Sequence, residues 1–145
     1  MDAGLLQLGA SDVIGNSSNV TFDGGRFSTG GYSETINTLS STFTQSVVSS
    51  SGSGNYTLTV GSSTVGPATN NTIYNGILQD NIGSGSGSMN VAYNLYGTGY
   101  TATLGGVNTY SGLTTITQGR LAITSGGALG SHASSGDSMV LFKAA

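Results

Sequence analysis

The chain has 145 residues, a net charge of −3 and charged side chains at only 6% of positions, against about a quarter in an average globular chain. Its cations are Arg26, Arg120 and Lys143; they form no cluster to displace counterions from nucleic acid or to hold an anionic membrane surface. No apolar run approaches the roughly 18 residues of a membrane-spanning helix, and the absence of cysteine excludes disulfides and thiolate metal sites.

The sequence contains 25 glycines and is 36% hydrophobic, with seven tyrosines and four phenylalanines. That is too apolar for a disordered Gly/Ser linker. It fits an all-β chain with many tight turns. In chain order, short apolar or alternating runs predict strands at Leu5–Leu8, Asn19–Phe22, Arg26–Ser28, Thr35–Leu39, Thr42–Val48, Asn55–Val60 and Thr72–Leu78. Further strands are predicted at Met89–Tyr96, Tyr100–Leu104, Leu113–Thr117, Arg120–Thr124 and Met139–Phe142. Gly, Asn and Ser clusters separate them: Asp23-Gly24-Gly25, Gly30-Gly31, Ser49–Gly54, Gly66-Pro67 and Gly83–Ser88. No window shows a capped 3.6-residue period.

The stretch 104–130, LGGVNTYSGLTTITQGRLAITSGGALG, sets out strand, corner, strand, corner with no helix between. Its end is echoed near the start of the chain at an offset of 115 residues. Leu6-Gln7-Leu8 aligns with Leu121-Ala122-Ile123, and Val13-Ile14-Gly15 with Ala128-Leu129-Gly130. After a short insertion, Val20-Thr21-Phe22 falls against Val140-Leu141-Phe142. Self-similarity of this kind is expected of a solenoid. The expected fold is therefore one all-β domain over 1–145, a parallel β-helix (β-solenoid) of roughly six or seven coils, with 104–130 the best repeat and 5–39 its partial echo. Its expected inward set is Leu6, Leu8, Val20, Phe22, Ile36, Leu39, Leu58, Val60, Ile73, Ile77, Leu104, Ile116, Leu121 and Ile123.

The residues Asn108, Thr109, Tyr110, Gly112, Thr115, Ile116, Gly119, Leu121, Ala128, Leu129 and Gly130 resemble the autotransporter-associated β-strand repeat of bacterial passenger domains. The resemblance covers about a fifth of the chain at full specificity, and a looser likeness extends over 6–39. It implies a right-handed parallel β-helix that is secreted or displayed on the cell surface, in which the motif positions are structural and none is catalytic. Two departures stand out: there is one full copy of the motif, and no membrane barrel follows it. The chain is thus expected to be a fragment or a stand-alone subunit. Met1-Asp2-Ala3-Gly4 has neither the basic nor the apolar region of a secretory signal. The composition still favours an exported chain over a cytoplasmic one, so the expected location is extracellular or cell surface.

Catalytic, cofactor and metal sites are not expected. Asp2, Asp12, Asp23, Glu34, Asp80 and Asp137 are scattered over turns, and Asp23 with Arg26 reads as a turn aspartate beside a solvated arginine. The single histidine, His132, has no ligand set or triad around it in sequence. The expected function is non-enzymatic: a filament subunit, stalk or adhesin segment whose partner is a second copy of itself, stacked end to end. The alternative is a glycan- or surface-binding module. It would grip a glycan with Tyr32, Tyr74, Tyr93, Tyr96 and Tyr100, or order ice on Thr-x-Thr pairs at Thr42/Thr44, Thr57/Thr59, Thr101/Thr103 and Thr115/Thr117.

Overall fold

The computed structural model describes residues 4–62, 71–96, 99–131 and 140–142, and among them the only regular elements are short strands. They are β1 (Leu5–Gln7), β2 (Asn19–Thr21), β3 (Arg26–Ser28), β4 (Glu34–Ile36), β5 (Thr38–Ser40), β6 (Val47–Ser50) and β7 (Tyr56–Val60). The rest are β8 (Thr72–Tyr74), β9 (Ile77–Asn81), β10 (Met89–Asn94), β11 (Thr101–Leu104), β12 (Thr114–Gln118), β13 (Arg120–Ile123) and β14 (Val140–Phe142). Every strand pair is parallel.

The strands form three stacks. The first is β1-β3-β6-β9, and the second is β4-β7-β10-β12-β14. The third joins β2-β5 to β8-β11-β13 through a parallel bridge between Ser41 and Tyr74. Beyond β9 the first stack continues without a regular strand. The Thr109 N–H donates to the Leu78 carbonyl (2.9 Å), and the Ser131 N–H to the Tyr110 carbonyl (2.9 Å). The chain visits first, second and third stack in that order, again and again. Parallel pairing forces this, because a parallel neighbour is reached only after a crossover, and here the crossover is the other two stacks.

Register defines the inward columns. Phe27, Val48 and Leu78 lie in line in the first stack. Ile36, Val60, Tyr93 and Ile116 line up in the second, beside Leu58, Val91 and Thr114. In the third, Ser41, Tyr74 and Leu104 follow one another. Phe22 precedes them, its N–H donating to the Ser40 carbonyl (3.0 Å). The small Ser41 lets the Phe22 ring meet Tyr74 edge-on, with centroids 6.5 Å apart. Phe27, Ile36, Val48, Leu58 and Leu78 are fully buried, each contributing roughly 1.5–3 kcal/mol of hydrophobic stabilisation.

Several sequence expectations are corrected here. The alternating run 35–39 is two strands, because Asn37 turns a corner between the second and third stacks. Likewise 72–78 splits at Asn75-Gly76 into β8 and β9, and the alternation resets across the corner. Tyr74 and Leu78 therefore point inward, while Ile73 is exposed and Ile77 half-buried. Thr42–Ser46 is a turn rather than strand, closed by a hydrogen bond between the Ser41 and Ser46 hydroxyls (2.8 Å). Leu6 and Ile123 occupy inward columns but are exposed, since each lies on the outermost strand of its stack among the described residues. The expected Gly66-Pro67 turn lies outside the described residues.

Four tyrosines fill the interior. Tyr74 donates to the Ser46 carbonyl (3.1 Å), Tyr56 to the Asp80 carbonyl, and the Tyr110 hydroxyl pairs with that of Thr114 (2.7 Å). The Tyr93 hydroxyl is buried without a hydrogen-bond partner among the described residues. Burial pushes all four phenols above the usual tyrosine value, with the Asp80 charge adding to the effect at Tyr56 and the neighbouring tyrosines at Tyr93. Their folded pKa values are raised, so their contribution is intact below about pH 10 and is lost as pH climbs toward those values. Tyr93→Phe should leave stability at pH 7 unchanged or higher, because it removes an unpaired buried hydroxyl, whereas Tyr74→Phe should cost about 1 kcal/mol. Urea unfolding at pH 7 and pH 11 checks both, and Tyr93→Phe should also lose less stability on going to the higher pH.

Candidate functional site

The residues of the 104–130 stretch fasten successive passes through the stacks together. Asn108 is buried between β9 and the following first-stack pass. Its Oδ1 accepts the Leu78 N–H (2.8 Å), its Nδ2 donates to the Ala128 carbonyl, and its own N–H donates to Gly127 (2.9 Å). One amide side chain thus links three layers, and no apolar residue could satisfy those backbone groups. Thr109 is exposed, and its carbonyl accepts the Ser131 hydroxyl (3.1 Å). Tyr110 and Ala128 are buried. Thr115 points outward in line with Thr59 and Ala92, and Ile116 and Leu121 are half-buried inward.

The glycines answer to backbone approach. A side chain on Gly112 would strike the Met89 carbonyl, and one on Gly130 the Tyr110 carbonyl. Gly119 turns the corner between β12 and β13 at φ 83° against Leu95. Leu129 is half-buried between these corners.

Two carboxylates that sequence reasoning left as turn residues hold backbone instead. The Asp80 carboxylate accepts the Met89 N–H (2.8 Å) and the Ser111 N–H (3.0 Å), tying β9 to β10 and to the next winding. Glu34 is only 1% exposed and accepts the N–H groups of Val13 (3.1 Å) and Thr35 (3.2 Å). A buried carboxylate is tolerable because these donors replace water. The sequence signal was present for Glu34: it precedes alternating Thr35-Ile36 on the inward phase. Asp12 sits in a turn at φ 52°, and Asp23 is exposed. Among the described residues no three His, Asp or Glu side chains are grouped to hold a metal ion. Asp2, His132, Asp137 and Lys143 lie outside the described residues.

The tyrosines expected to grip a glycan do not share a surface role. Tyr74 and Tyr93 are core residues and Tyr100 is half-buried, while Tyr32 and Tyr96 are exposed. The Thr-x-Thr pairs are also dispersed. Thr57/Thr59 and Thr115/Thr117 lie in the second stack, Thr101/Thr103 in the third, and Thr42/Thr44 outside any strand.

What remains as a candidate surface is the pair of stack ends. At one end β1 and β2 are outermost, and Leu5, Leu6 and Val13 are 60%, 50% and 55% exposed. There the second stack begins with the turn 11–15 rather than a strand, held by Glu34 and by the Asp12 N–H on the Ser33 carbonyl (3.3 Å). At the other end β13 and β14 are outermost, and Ile123 is 52% exposed. Among the described residues no further strand pairs the outer edges of β1, β2, β13 and β14, and such an edge presents a row of N–H and C=O groups. No protein-family model, curated protein or solved structure matches this chain.

Gly112→Ala should destabilise the fold by about 1–3 kcal/mol through the clash with Met89. Gly126→Ala, where an added methyl group meets open space, should be neutral or stabilising by up to about 1 kcal/mol. Paired urea melts of the two variants check the contrast.

Proposed function

We propose that the chain is a right-handed parallel β-helix of roughly six or seven coils that works as a non-enzymatic structural protein outside the cell or on its surface. It stacks end to end with copies of itself as a filament, stalk or adhesin segment. The observation that carries this reading is the state of the two ends. Both expose strand edges, and both expose residues belonging to inward columns, Leu6 at one end and Ile123 at the other. Six passages through the first stack, by β1, β3, β6, β9 and the segments around Asn108 and Gly127, support the coil number. The likeness of 104–130 to passenger-domain repeats supports the location. The fastening by Asn108 and Asp80 supports a load-bearing role, since both hold consecutive windings together.

Contacts of this kind are heterologous and do not close, so they propagate as a fibre. Negative-stain electron microscopy of the purified chain, with light scattering over a wide concentration range, tests the reading. Filaments or concentration-dependent chains of particles are expected. A monodisperse monomer at every concentration would contradict it.

A further inference from the structure

The end-to-end reading leaves open how one copy meets the next, and the order of the stacks fixes an answer that rests on that reading. We infer that the second copy joins rotated by one face. Its β1 lies on β13, its 11–15 turn on the 127–131 segment, and its β2 on β14.

The chain passes first, second and third stack in turn, and its last described strand, β14, is in the second. The next place in that order is in the third stack, on the edge of β13 that no described strand pairs. The strand that the second copy offers first is β1. Without rotation, β1 on 127–131 would leave the third stack lacking a layer between β13 and β2, and β2 on β13 would set β1 in the place that 127–131 already fills.

Leu6-Gln7-Leu8 resembles Leu121-Ala122-Ile123, yet within one chain β1 belongs to the first stack and β13 to the third. The turn 13–15 fills the second stack's place, and its counterpart 128–130 continues the first. Val20-Thr21-Phe22 lies in the third stack or follows it in register, and its counterpart Val140-Leu141-Phe142 in the second. All three correspondences shift by one face in the same sense. They have no structural meaning inside one copy. In the rotated junction the first two become pairs of neighbouring layers in one column, where like side chains belong, and β2 lies on β14.

Leu6 would extend the column Ala102–Leu121, and Leu8 would cover Ile123 in the column of Leu104. Two exposed leucine and isoleucine side chains at opposite ends would leave water together. Among the described residues, Asp12 and Asp23, with Arg26, mark the β1–β2 end, and Arg120 the β13 end. That asymmetry favours head-to-tail over head-to-head contact, and only head-to-tail contact keeps the strands parallel.

Cross-linking tests the register, because the chain has no cysteine of its own. Gln7 and Ala122 sit between the inward residues of β1 and β13 and so face outward at the junction. In-register parallel neighbours lie about 4.8 Å apart, within the roughly 4.4–6.8 Å Cα separation of a disulfide. Mild oxidation of Gln7→Cys/Ala122→Cys should give a ladder of covalent oligomers on non-reducing gels, and Thr21→Cys/Ala122→Cys, which reports β2 on β13, should not. Should the first pair itself prevent filaments, Leu5→Cys/Arg120→Cys reads the same register two residues along. Filaments whose ladder appears only with Thr21→Cys/Ala122→Cys, or with no pair, would overturn the rotated junction while leaving end-to-end assembly standing. A wild-type chain that stays monomeric by light scattering would overturn both.

Discussion

The structure depends on register between parallel strands. Each strand binds only its neighbours one winding before and one winding after, so every inward residue must suit the residue above and the residue below. Phe27, Val48 and Leu78 meet that demand by similar bulk. The third stack meets it differently, by placing the small Ser41 between Phe22 and Tyr74 and filling the space with ring edges. The same constraint has no natural stopping point. A layer that satisfies the one beneath it presents an equivalent unsatisfied layer above, and sheet edges must be blunted if they are not to pair.

Corners make the short strands possible. A three-stack winding turns sharply every few residues, and each turn leaves backbone groups that no ladder can satisfy. Asn108, Asp80 and Glu34 take them, and the glycines at 112, 119 and 130 admit the close approach that follows. Low charge is a consequence as much as a cause. Many outward positions of these closely spaced layers hold Thr or Asn, among them Thr57, Thr59, Asn90, Thr103 and Thr115. Long charged side chains stacked every 4.8 Å or so would repel one another.

The all-β class and most strand positions among the described residues were legible in the sequence, because Thr, Val, Ile and Tyr runs between Gly and Asn clusters carry both propensity and boundary. Corners made of one or two residues were not. Asn37 and Asn75-Gly76 interrupt runs that read as continuous alternation, and crossing them shifts the inward phase, which is why Tyr74 and Leu78 were missed and Ile73 was misplaced. Asn-Gly at 75–76 was the available signal. The inward phase of Glu34 was legible beside Thr35-Ile36, but the backbone donors that Glu34 and Asp80 hold lie 21 and 31 residues away, beyond local reading. The echo between 6–22 and 121–142 was legible, but its meaning was not, since only the stack order shows that its partners lie one face apart.

Diffraction from oriented assemblies of the purified chain is the most direct measurement of whether the windings continue from copy to copy. Strands perpendicular to the long axis and stacked in register predict a meridional reflection at about 4.8 Å and an axial rise of roughly 25–30 Å for each copy. A 4.8 Å spacing on the equator, or none at all in well-oriented assemblies, would contradict the continuous stack.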